Sequence, residues 1–461
     1  MPRGNAPALR QAIADGSAQR SLFDRDGLVR LAELAGGSSL GGGLDALAGR
    51  SVLLATAAQL TTALALIELD GVARRLVILP PDADPGHFAP IVAGAEVDAV
   101  VVDYSSAASP AFDMPVRVVG AAPIVAAPRL AAPWRDTEWI MPTSGTTGAP
   151  KLVVHSRAGL TAAFAEGTVD EPTVWGTFYD IRRYGGLQIF LRAVLGGVAL
   201  VLSSAGEPIG EHLKRLGRHG VTHLSGTPSH WRAALMSPAI GNIAPRYLRL
   251  SGEIADQVIL DNLRQAFPRA VVGHAFASTE AGLAFEVGDG CAGFPAALVE
   301  RSRDGVDLKV VAGSLRVRSP RAASRYIGGA AALADADGFI DTGDMVELRG
   351  DRYVFVGRRS GVINVGGLKV HPEEVEAVIN RHPQVRMSRV AGKRSPITGA
   401  VVAAEVVLQS GNQAGQRPDA VKDDIRQFCR DELPLYKVPA AISIVPALDV
   451  AATGKLKRHH A

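Results

Sequence analysis

The sequence predicts an α/β protein: a large N-terminal domain of mixed, mainly parallel sheets with helices, a small barrel-like subdomain, and a small α+β C-terminal domain. Three observations lead to this fold class. Short apolar runs alternate with helix-length segments through the first 280 residues. After about Gly305, short strand-like runs are separated by turns rich in Gly and Asp. A polar segment bracketed by glycines, residues 357–361, then precedes a further unit of about 100 residues.

The alternation in the N-terminal part is typical of βαβ units, in which helices cover a mainly parallel sheet. The apolar runs predicted to be buried strands are residues 52–54, 76–79, 99–102, 198–202 and 271–272. The segments between them that have helical length and composition are residues 59–69, 187–195, 210–219 and 255–267.

The second part of the chain has a different pattern. Its short apolar runs predict an antiparallel barrel or sheet with strands at residues 306–311, 315–317, 345–348 and 353–356. We place the domain boundary after Gly357, which gives domains 1–357 and 358–461. Pro372 suits the first position of a helix over residues 372–380, with Glu373 and Glu374 at the positive end of its dipole. The remaining predicted elements are strands at 387–390, 400–407 and 442–445, a helix at 419–429 and an exposed loop at 411–418.

The composition excludes several classes of protein. A chain of 461 residues with 47% hydrophobic and 21% charged residues can bury a large core and is not mostly disordered. A net charge of +3 with scattered basic residues argues against nucleic acid as a partner. Cys291 and Cys429 have neither metal-ligand spacing nor a disulfide pattern, so we expect a cytoplasmic protein. The apolar stretches are too short for a signal peptide or a membrane span.

The first chemical signal is a loop at residues 143–151, TSGTTGAPK, which lies between two apolar runs. Glycines let backbone N–H groups approach a phosphate, hydroxyls add donors, and the lysine adds a mobile positive charge. The loop is not a Walker loop, because no Gly-Lys-Ser/Thr closes it at the required spacing. A plain Ser/Thr/Gly connector is the alternative interpretation.

This loop resembles the phosphate-binding loop of the adenylate-forming (ANL) superfamily, which comprises acyl-CoA synthetases, peptide-synthetase adenylation domains and luciferases. Four later segments resemble motifs of that family and occur in its order: FASTE at 276–280, DTGD at 341–344, GR with VGGLK and EEVE between 357 and 376, and PLYKVP with TGK between 434 and 455. With five elements in the family's order, the probability of agreement by chance is very small. The first 140 residues carry no comparable signature. The resemblance implies a large domain followed by a mobile C-terminal lid.

The resemblance also implies which residues bind ATP. Those assigned to the β- and γ-phosphates are Thr143, Ser144, Gly145, Thr146, Thr147, Gly148 and Lys151. Those assigned to the rest of the nucleotide are Gly252, Glu253, Phe276, Ala277, Ser278, Thr279, Asp344 and Arg358. Asp344 would accept hydrogen bonds from both ribose hydroxyls, and Phe276 would stack on the adenine. An ordinary aspartate in a hairpin turn is the alternative for Asp344.

Three residues are expected to act in catalysis. Lys455 would neutralise charge that develops between the acid and the α-phosphate, and the lid would have to carry it there. A solvated lysine of the tail is the alternative. Thr279 would donate to the α-phosphate and Glu280 would bind Mg²⁺, which prefers hard oxygen ligands. A helix N-terminal cap is the alternative for these two residues.

The chain departs from the family pattern without losing a charged catalytic group. Ser360 occupies the hinge position where the family usually has Asp or Lys. Phe276 and Ala277 replace a Tyr-Gly pair, and Asp341 precedes Thr-Gly-Asp. The serine leaves open how firmly the lid rotates between two half-reactions.

The acyl pocket is expected between residues 178–188, 225–231 and 274–277. The candidate residues within these segments are Tyr184, Gly185, Ser225, His230 and Ala275. Arg182 and Arg183 have three open interpretations: contact with a second polar group of the acid, exposure to solvent, or pairing with Asp180. No acidic residue other than Asp180 resembles an amino-group anchor, so a non-amino carboxylic acid is favoured. Aromatic and fatty acids both stay open.

Together these inferences predict an AMP-forming acid–thiol ligase that uses ATP and Mg²⁺. It would activate a small carboxylic acid as an acyl-adenylate, release pyrophosphate and pass the acyl group to coenzyme A. The alternative acceptor is the phosphopantetheine of an acyl carrier protein, to which a stand-alone enzyme would load an aryl or fatty acyl group. A nucleotide-binding regulatory protein is disfavoured because Glu280, Asp344 and Lys455 are retained. A homodimer is left open.

Overall fold

The structure is a computed structural model that describes residues 8–14, 20–106, 114–127, 135–143, 150–164, 172–328, 332–395, 399–409, 417–449 and 455–456. Its α-helices are α1 (Leu9–Ala14), α2 (Gln59–Leu69), α3 (Phe88–Gly94), α4 (Arg157–Thr161), α5 (Tyr184–Leu195), α6 (Ile209–Arg218), α7 (Pro228–Met236), α8 (Gln257–Ala266), α9 (Ala297–Glu300), α10 (Pro372–Ile379) and α11 (Pro418–Glu432).

The strands of the first half are β1 (Ser21–Phe23), β2 (Leu28–Arg30), β3 (Gly37–Ser38), β4 (Ser51–Leu54), β5 (Arg75–Ile78), β6 (Ala99–Val102), β7 (Val116–Val119), β8 (Val125–Ala126), β9 (Glu138–Thr143), β10 (Lys151–Ser156), β11 (Val174–Thr177), β12 (Ala199–Val201) and β13 (His223–Gly226). Those of the second half are β14 (Tyr247–Ser251), β15 (Val271–Ser278), β16 (Gly282–Val287), β17 (Phe294–Pro295), β18 (Asp307–Val311), β19 (Ser314–Arg318), β20 (Arg325–Ile327), β21 (Ile340–Arg349), β22 (Arg352–Arg358), β23 (Ile363–Val365), β24 (Leu368–Val370), β25 (Val385–Ser395), β26 (Gly399–Leu408) and β27 (Ala441–Ile444).

Two large sheets form the N-terminal part. The eight-stranded sheet has the order β16-β15-β14-β13-β11-β12-β1-β2, with parallel pairs in its centre and antiparallel pairs at both edges. The seven-stranded sheet has the order β20-β10-β9-β5-β4-β6-β7 and is antiparallel only where β9, β10 and β20 pair. The prediction of mixed, mainly parallel sheets is confirmed.

A shared apolar core joins the two large sheets. Helix α2 is buried at every position, including its polar residues Gln59, Thr61, Thr62 and Glu68. It shares a cluster of buried side chains with α5 and with strands of both sheets, including Leu76 of β5 and Leu200 of β12. The face of the eight-stranded sheet that packs on α5 is therefore an interior surface. In the described residues, no helix is long and apolar enough to span a membrane.

The C-terminal half contains an antiparallel sheet and a separate small unit. The sheet has the order β17-β22-β21-β19-β18, which confirms the predicted antiparallel subdomain. After β22 ends at Arg358, β23–β27 form a second sheet that packs with α10 and α11 around its own buried core, which includes Val375, Ile425 and Ile442. That core agrees with a division near Gly357, which stays a prediction. Most of the loop predicted at 411–418 lies outside the described residues.

Candidate active site

The predicted phosphate loop joins two paired strands. Strand β9 ends at Thr143 and β10 begins at Lys151, and these two residues are antiparallel partners. The Thr143 hydroxyl donates to the Lys151 carbonyl over 3.4 Å. The Lys151 ammonium lies 5.1 Å from the centre of the Tyr326 ring, which belongs to the neighbouring strand β20. Strands therefore flank the loop on both sides, while residues 144–149 of the loop lie outside the described residues.

Thr279 and Glu280 lie in the turn between β15 and β16. No helix begins there, because β16 starts at Gly282, so the alternative of a helix cap is wrong. The Tyr326 hydroxyl donates to Glu280 Oε1 over 3.5 Å. Burial, together with the Glu280 carboxylate, raises the pKa of Tyr326 to about 12, so this tyrosine remains a donor at neutral pH. Glu280 is therefore held with its carboxylate beside the base of the phosphate loop.

His155 fixes the same turn from the seven-stranded sheet. Its Nε2 atom lies 2.8 Å from the Thr279 carbonyl oxygen, which can only accept, so Nε2 carries the proton. Burial lowers the pKa of His155 to about 4, which keeps the ring neutral. The Ser278 hydroxyl accepts from the Ala281 amide over 2.9 Å and closes the turn from the other side. Sequence reasoning missed His155, since a single histidine in an apolar strand carries no local signal.

Lys455 reaches the large domain at the turn that follows β14. A Cβ atom placed on Gly252 would lie 3.4 Å from Lys455 Cε and 4.0 Å from its Nζ, so the lysine passes directly over this glycine. Gly252 has a φ of 87°, which a residue with a side chain rarely adopts. The backbone amide of Leu456 donates to Glu253 Oε1 over 3.0 Å. The tail is therefore docked on the large domain at this point, while Lys455 as a residue is still exposed, so its catalytic role stays a prediction.

Glu253 binds both the C-terminal tail, through Leu456, and the N-terminal end of helix α7. Its carboxylate accepts from the Ser229 amide over 2.9 Å and from the Ser229 hydroxyl over 3.0 Å, in the first turn of α7. A carboxylate is favourable at a helix N-terminus, where the dipole is positive. Burial lowers the pKa of Lys455, and the negative charge of Glu253 opposes this effect most strongly. Glu253 thus provides the main counter-charge of the lysine.

Asp344 lies inside β21, so the alternative of an ordinary aspartate in a hairpin turn is wrong. Gly343 has a φ of 70°, and the register of β21 against β22 shifts just after Met345, so the strand bulges here. Arg358 Nε lies 3.3 Å from Asp344 Oδ1. Burial raises the pKa of Asp344, and the charges of Arg358 and Lys455 oppose that rise. The structure therefore brings Asp344, Arg358 and Lys455 into one electrostatic group.

The ring of Phe276 belongs to an aromatic cluster beneath this group. It stacks with Phe285 at a centroid distance of 5.6 Å and with Phe355 at 5.2 Å. Phe276 and Ala277 flank a register shift between β15 and β16. The stacking of Phe276 on adenine stays a prediction.

The predicted acyl residues come from four elements of the large domain. Tyr184 and Gly185 begin α5, Ser225 lies in β13, Ala275 in β15 and His230 in α7. Tyr184, Ser225 and Ala275 are buried, and Gly185 lies 3.7 Å, measured from an added Cβ, from the ring of Tyr179. The Tyr179 hydroxyl donates to the Ser251 carbonyl over 2.7 Å, next to Gly252. Their contact with an acyl group stays a prediction.

His230 also has a structural function. Its Nδ1 atom accepts from the Thr227 amide over 3.2 Å, while the Thr227 hydroxyl accepts from the His230 amide over 3.0 Å. This reciprocal pair caps α7. The ring stacks on Phe178 at a centroid distance of 5.5 Å, and burial lowers the pKa of His230 to about 4.

Of the three interpretations of Arg182, the pair with Asp180 is the one observed. Arg182 Nη2 donates to Asp180 Oδ2 over 2.6 Å, and Nη1 donates to the Ala57 carbonyl over 3.1 Å. Its side chain is fully buried, so this arginine joins α5 to the loop after β4. The neighbouring Arg183 pairs with Asp82, and its charge contributes to the lowered pKa of Lys455.

The described part of the chain contains no group of three or more His, Cys, Asp or Glu residues able to hold a metal. Mg²⁺ bound through substrate phosphates needs only one or two protein carboxylates. Glu280, held by Tyr326, is a carboxylate of this kind. At the predicted hinge, Ser360 lies in a short 3₁₀ segment, Arg359–Gly361.

Comparison with known proteins identifies the family. A family model described as AMP-binding enzyme matches residues 54–326, and one described as AMP-binding enzyme C-terminal domain matches residues 374–455. The chain belongs to the AMP-binding enzyme family. It is 30% identical over 345 residues to the 2-succinylbenzoate–CoA ligase of Bacillus licheniformis, which covers 70% of this chain and 69% of the relative. It is 25% identical over 348 residues to 4-coumarate–CoA ligase 3 of Arabidopsis thaliana, covering 68% of this chain and 61% of the relative.

Solved structures with the same fold extend over the whole chain. A benzoate CoA ligase from Burkholderia xenovorans has a TM-score of 0.80 at 20% identity and covers 97% of both chains. The o-succinylbenzoate CoA synthetase of Bacillus subtilis, in complex with its acyl-adenylate intermediate, has a TM-score of 0.74 at 20% identity and covers 98% of this chain and 97% of that chain. These likenesses confirm the predicted adenylate-forming fold.

Proposed function

We propose that the site around Lys455 forms an acyl-adenylate from ATP and a carboxylic acid, and that the protein then transfers the acyl group to coenzyme A. The observation that carries this proposal is the position of Lys455. The Leu456–Glu253 hydrogen bond holds the lysine over Gly252, within the electrostatic group that includes Asp344. The carboxylates of Glu253 and Asp344 supply the counter-charge for the lysine at this position.

In the first half-reaction, a carboxylate oxygen of the acid attacks the α-phosphorus of ATP and pyrophosphate leaves. The Lys455 ammonium stabilises the negative charge that develops between the two groups. Thr279 donates to the α-phosphate, and His155 holds its backbone in place. Asp344 accepts from the ribose hydroxyls. Glu280 would hold Mg²⁺, which when bound neutralises charge on the phosphate oxygens.

In the second half-reaction, the thiol of coenzyme A attacks the acyl carbon, and AMP leaves with the oxygen that the acid contributed. The named relatives are CoA ligases, and this chain is an AMP-forming ligase of the same type. The relatives' names give 2-succinylbenzoate and 4-coumarate as their acids. Both contain an aromatic ring, so we favour an aromatic over a fatty acid here.

Lid rotation about residues 357–361 would separate the half-reactions, with domains 1–357 and 358–461 as the moving bodies. Gly357 has a φ of 147°, and an added Cβ would clash with Glu373 Oε2 and with the ring of His371, so only glycine fits at this junction. Cys291 and Cys429 are both free, in agreement with the cytoplasmic location that we propose. A homodimer remains an open prediction.

The test is to incubate the purified protein with ATP, Mg²⁺ and a panel of aromatic and fatty acids, and to measure pyrophosphate release. Coenzyme A, a phosphopantetheine-bearing carrier protein and hydroxylamine are then supplied as separate acceptors. We expect acid-dependent pyrophosphate release and acyl-CoA formation. Hydroxamate and acyl-carrier product without acyl-CoA would identify a carrier protein as the acceptor. Nucleotide binding with no turnover of any acid would contradict the proposed function.

A further inference from the structure

Arg249 places a buried positive charge at the predicted acyl pocket. It lies in the central strand β14, and its side chain is only 6% exposed. It pairs in register with Ser225 of the parallel strand β13, so both side chains point to the sheet face that packs on α5. The charge of Arg249 acts on the hydroxyls of Tyr179 and Tyr184, which border this face.

The guanidinium of Arg249 is only partly satisfied. Within the described residues, its side chain makes one hydrogen bond, from Nε to Glu286 Oε2 over 3.3 Å. The Tyr247 hydroxyl donates to the other oxygen of Glu286. A guanidinium has five N–H donors, and buried donors without a partner are costly. The Nη atoms of Arg249 are therefore available to a ligand.

A second arginine on the same face increases the excess of positive charge. Arg192 of α5 lies 5.1 Å from the ring of Phe164 and 5.9 Å from the ring of Trp175, and it makes no side-chain hydrogen bond to a described residue. Burial and the neighbouring charge of Arg249 lower the pKa of Arg192. Glu286 is the one carboxylate between these two cations in the part of the chain that the structure describes. The local charge is thus positive by about one unit.

A cavity of about 230 Å³ opens beside Arg192 and Glu286, and Leu283 and Phe285 also line it. Arg249 does not line this cavity and adjoins it through its hydrogen bond to Glu286. The other charged lining residues are Arg321, Arg303 and Asp304. Because arginines outnumber carboxylates among apolar side chains, the lining suits an organic anion better than a wholly apolar chain.

The distance from Arg249 to the reaction centre defines the length of such a ligand. Arg249 precedes Gly252 by three residues along β14 and its end, a separation of about 10 Å for extended backbone. Lys455 lies over Gly252, where the reacting carboxylate is expected. A ligand bound to both cations would need an anionic group at each end.

We propose that Arg249 binds a second carboxylate of the acid substrate, so that the enzyme selects dicarboxylic acids whose two carboxylates lie about 10 Å apart. This inference rests on the proposed function, because it assigns the reacting carboxylate to the Lys455 site. Arg249 is then a specificity residue that binds the end of the substrate opposite to the reacting end. Arg192 adds long-range attraction for the same end.

The test compares acids of one carbon skeleton that end in a methyl group or in a carboxylate: octanoate with octanedioate, and para-propylbenzoate with para-carboxyethylbenzoate. The kcat/KM for pyrophosphate release should be at least about 10-fold higher for the dicarboxylate of each pair. Arg249→Leu should lower the dicarboxylate value by about 10²-fold and change the monocarboxylate value by less than about 3-fold. Arg249→Lys should retain an intermediate preference, because a lysine keeps the charge without the bidentate geometry.

Two controls separate the possible failures. Arg249→Leu leaves the Glu286 carboxylate without its cation, which can prevent folding. The double variant Arg249→Leu/Glu286→Gln removes both charges and tests the preference for dicarboxylates if the single variant does not fold. Calorimetric binding of octanedioate needs no turnover: binding that depends on Arg249 without pyrophosphate release would support the inference and refute the proposed function. The inference would be overturned, and the proposed function kept, if the kcat/KM for monocarboxylates equalled or exceeded that for dicarboxylates. An equal loss of kcat/KM for both kinds of acid in Arg249→Leu would have the same consequence.

Discussion

Replacing Lys455 with alanine should abolish most of the first half-reaction and spare the second. The side chain reaches its place through the tail, and the Leu456–Glu253 hydrogen bond comes from the backbone, so the substitution leaves this anchor intact. Lys455→Ala therefore removes a charge without removing the contact that docks the chain end. The folded state should change little, because Lys455 is an exposed residue and the backbone contact that docks the tail is kept.

The size of the effect follows from the chemistry of the site. Loss of one preorganised group that stabilises developing charge costs about 2.7–4 kcal/mol, which is about 10²–10³-fold in kcat. Lys455 is an exposed residue whose ammonium lies near Glu253, Asp344 and Arg358, and water can partly replace it, so we expect the lower part of this range. Transfer from a preformed acyl-adenylate to coenzyme A should fall by less than about 5-fold, because the acid is already bonded to phosphorus.

Two assays on one preparation measure this difference: pyrophosphate release from ATP and acid, and acyl-CoA formation from synthetic acyl-adenylate. Lys214→Ala is the matched control, since Lys214 is half-exposed and pairs only with Glu211 on the surface of α6. Burial lowers the pKa of Lys455, so the charged form and adenylation should be lost at a pH below the ordinary lysine range. Lys455→Arg should remove that alkaline decline. Equal losses in both half-reactions, or none in pyrophosphate release, would refute the reasoning.

Three further predictions concern the metal, the hinge and acid stability. Glu280→Gln should raise the Mg²⁺ concentration needed for half-maximal activity at least about 10-fold, while Tm stays within about 2 °C. An unchanged Mg²⁺ requirement would contradict the assignment of Glu280 as a metal ligand. Ser360→Pro should favour the observed lid orientation, because proline has the φ of a 3₁₀ segment. Adenylation should then persist while thioester formation falls. Parallel changes in the two rates would indicate that residues 357–361 are an ordinary linker. His230 has a folded pKa of about 4, below its unfolded value, so its contribution to unfolding free energy is lost as pH falls from 6.5 to 4. Urea unfolding at pH 7 and pH 5 should show a fall in unfolding free energy that is smaller in His230→Gln than in the wild-type protein by on the order of 2 kcal/mol, since other buried histidines such as His155 contribute to the total.

Local patterns were sufficient to predict many of the elements. Helix α2 has the predicted bounds, and the phosphate loop connects two strands as expected. Strands β15 and β21 are longer than predicted, because pairing on both sides extends them past their apolar residues. The bulge at Gly343 keeps Asp344 within β21, where Gly-Asp alone indicated a turn. Tertiary pairing rather than local preference determines these differences.

The site residues predicted from the sequence all lie in recognisable motifs or next to them. Site residues outside such motifs could not be identified from the sequence. His155 contacts Thr279, 124 residues later, and Arg249 contacts Glu286 across the register of β14, β15 and β16. Neither contact has a sequence spacing that identifies it. Lys455 was identified by its motif, yet its partner Glu253 lies 203 residues from the Leu456 amide that anchors the tail. Only the folded arrangement of β14 against the tail joins them.

The end of β14 connects substrate selection to lid docking. Glu253 binds the first turn of α7 through Ser229 and the chain end through Leu456, so the same carboxylate fixes a helix of the large domain and the position of Lys455. Arg249 lies four residues before Glu253, inside β14, and sets the other end of the proposed substrate site. Because β14 and the turn that directly follows it carry both positions, a substrate that spans them would be held in register with the lysine by continuous backbone. An acid that satisfies Arg249 would therefore present its reacting carboxylate where the docked lid delivers the ammonium, whereas a shorter acid would have to give up one of the two contacts.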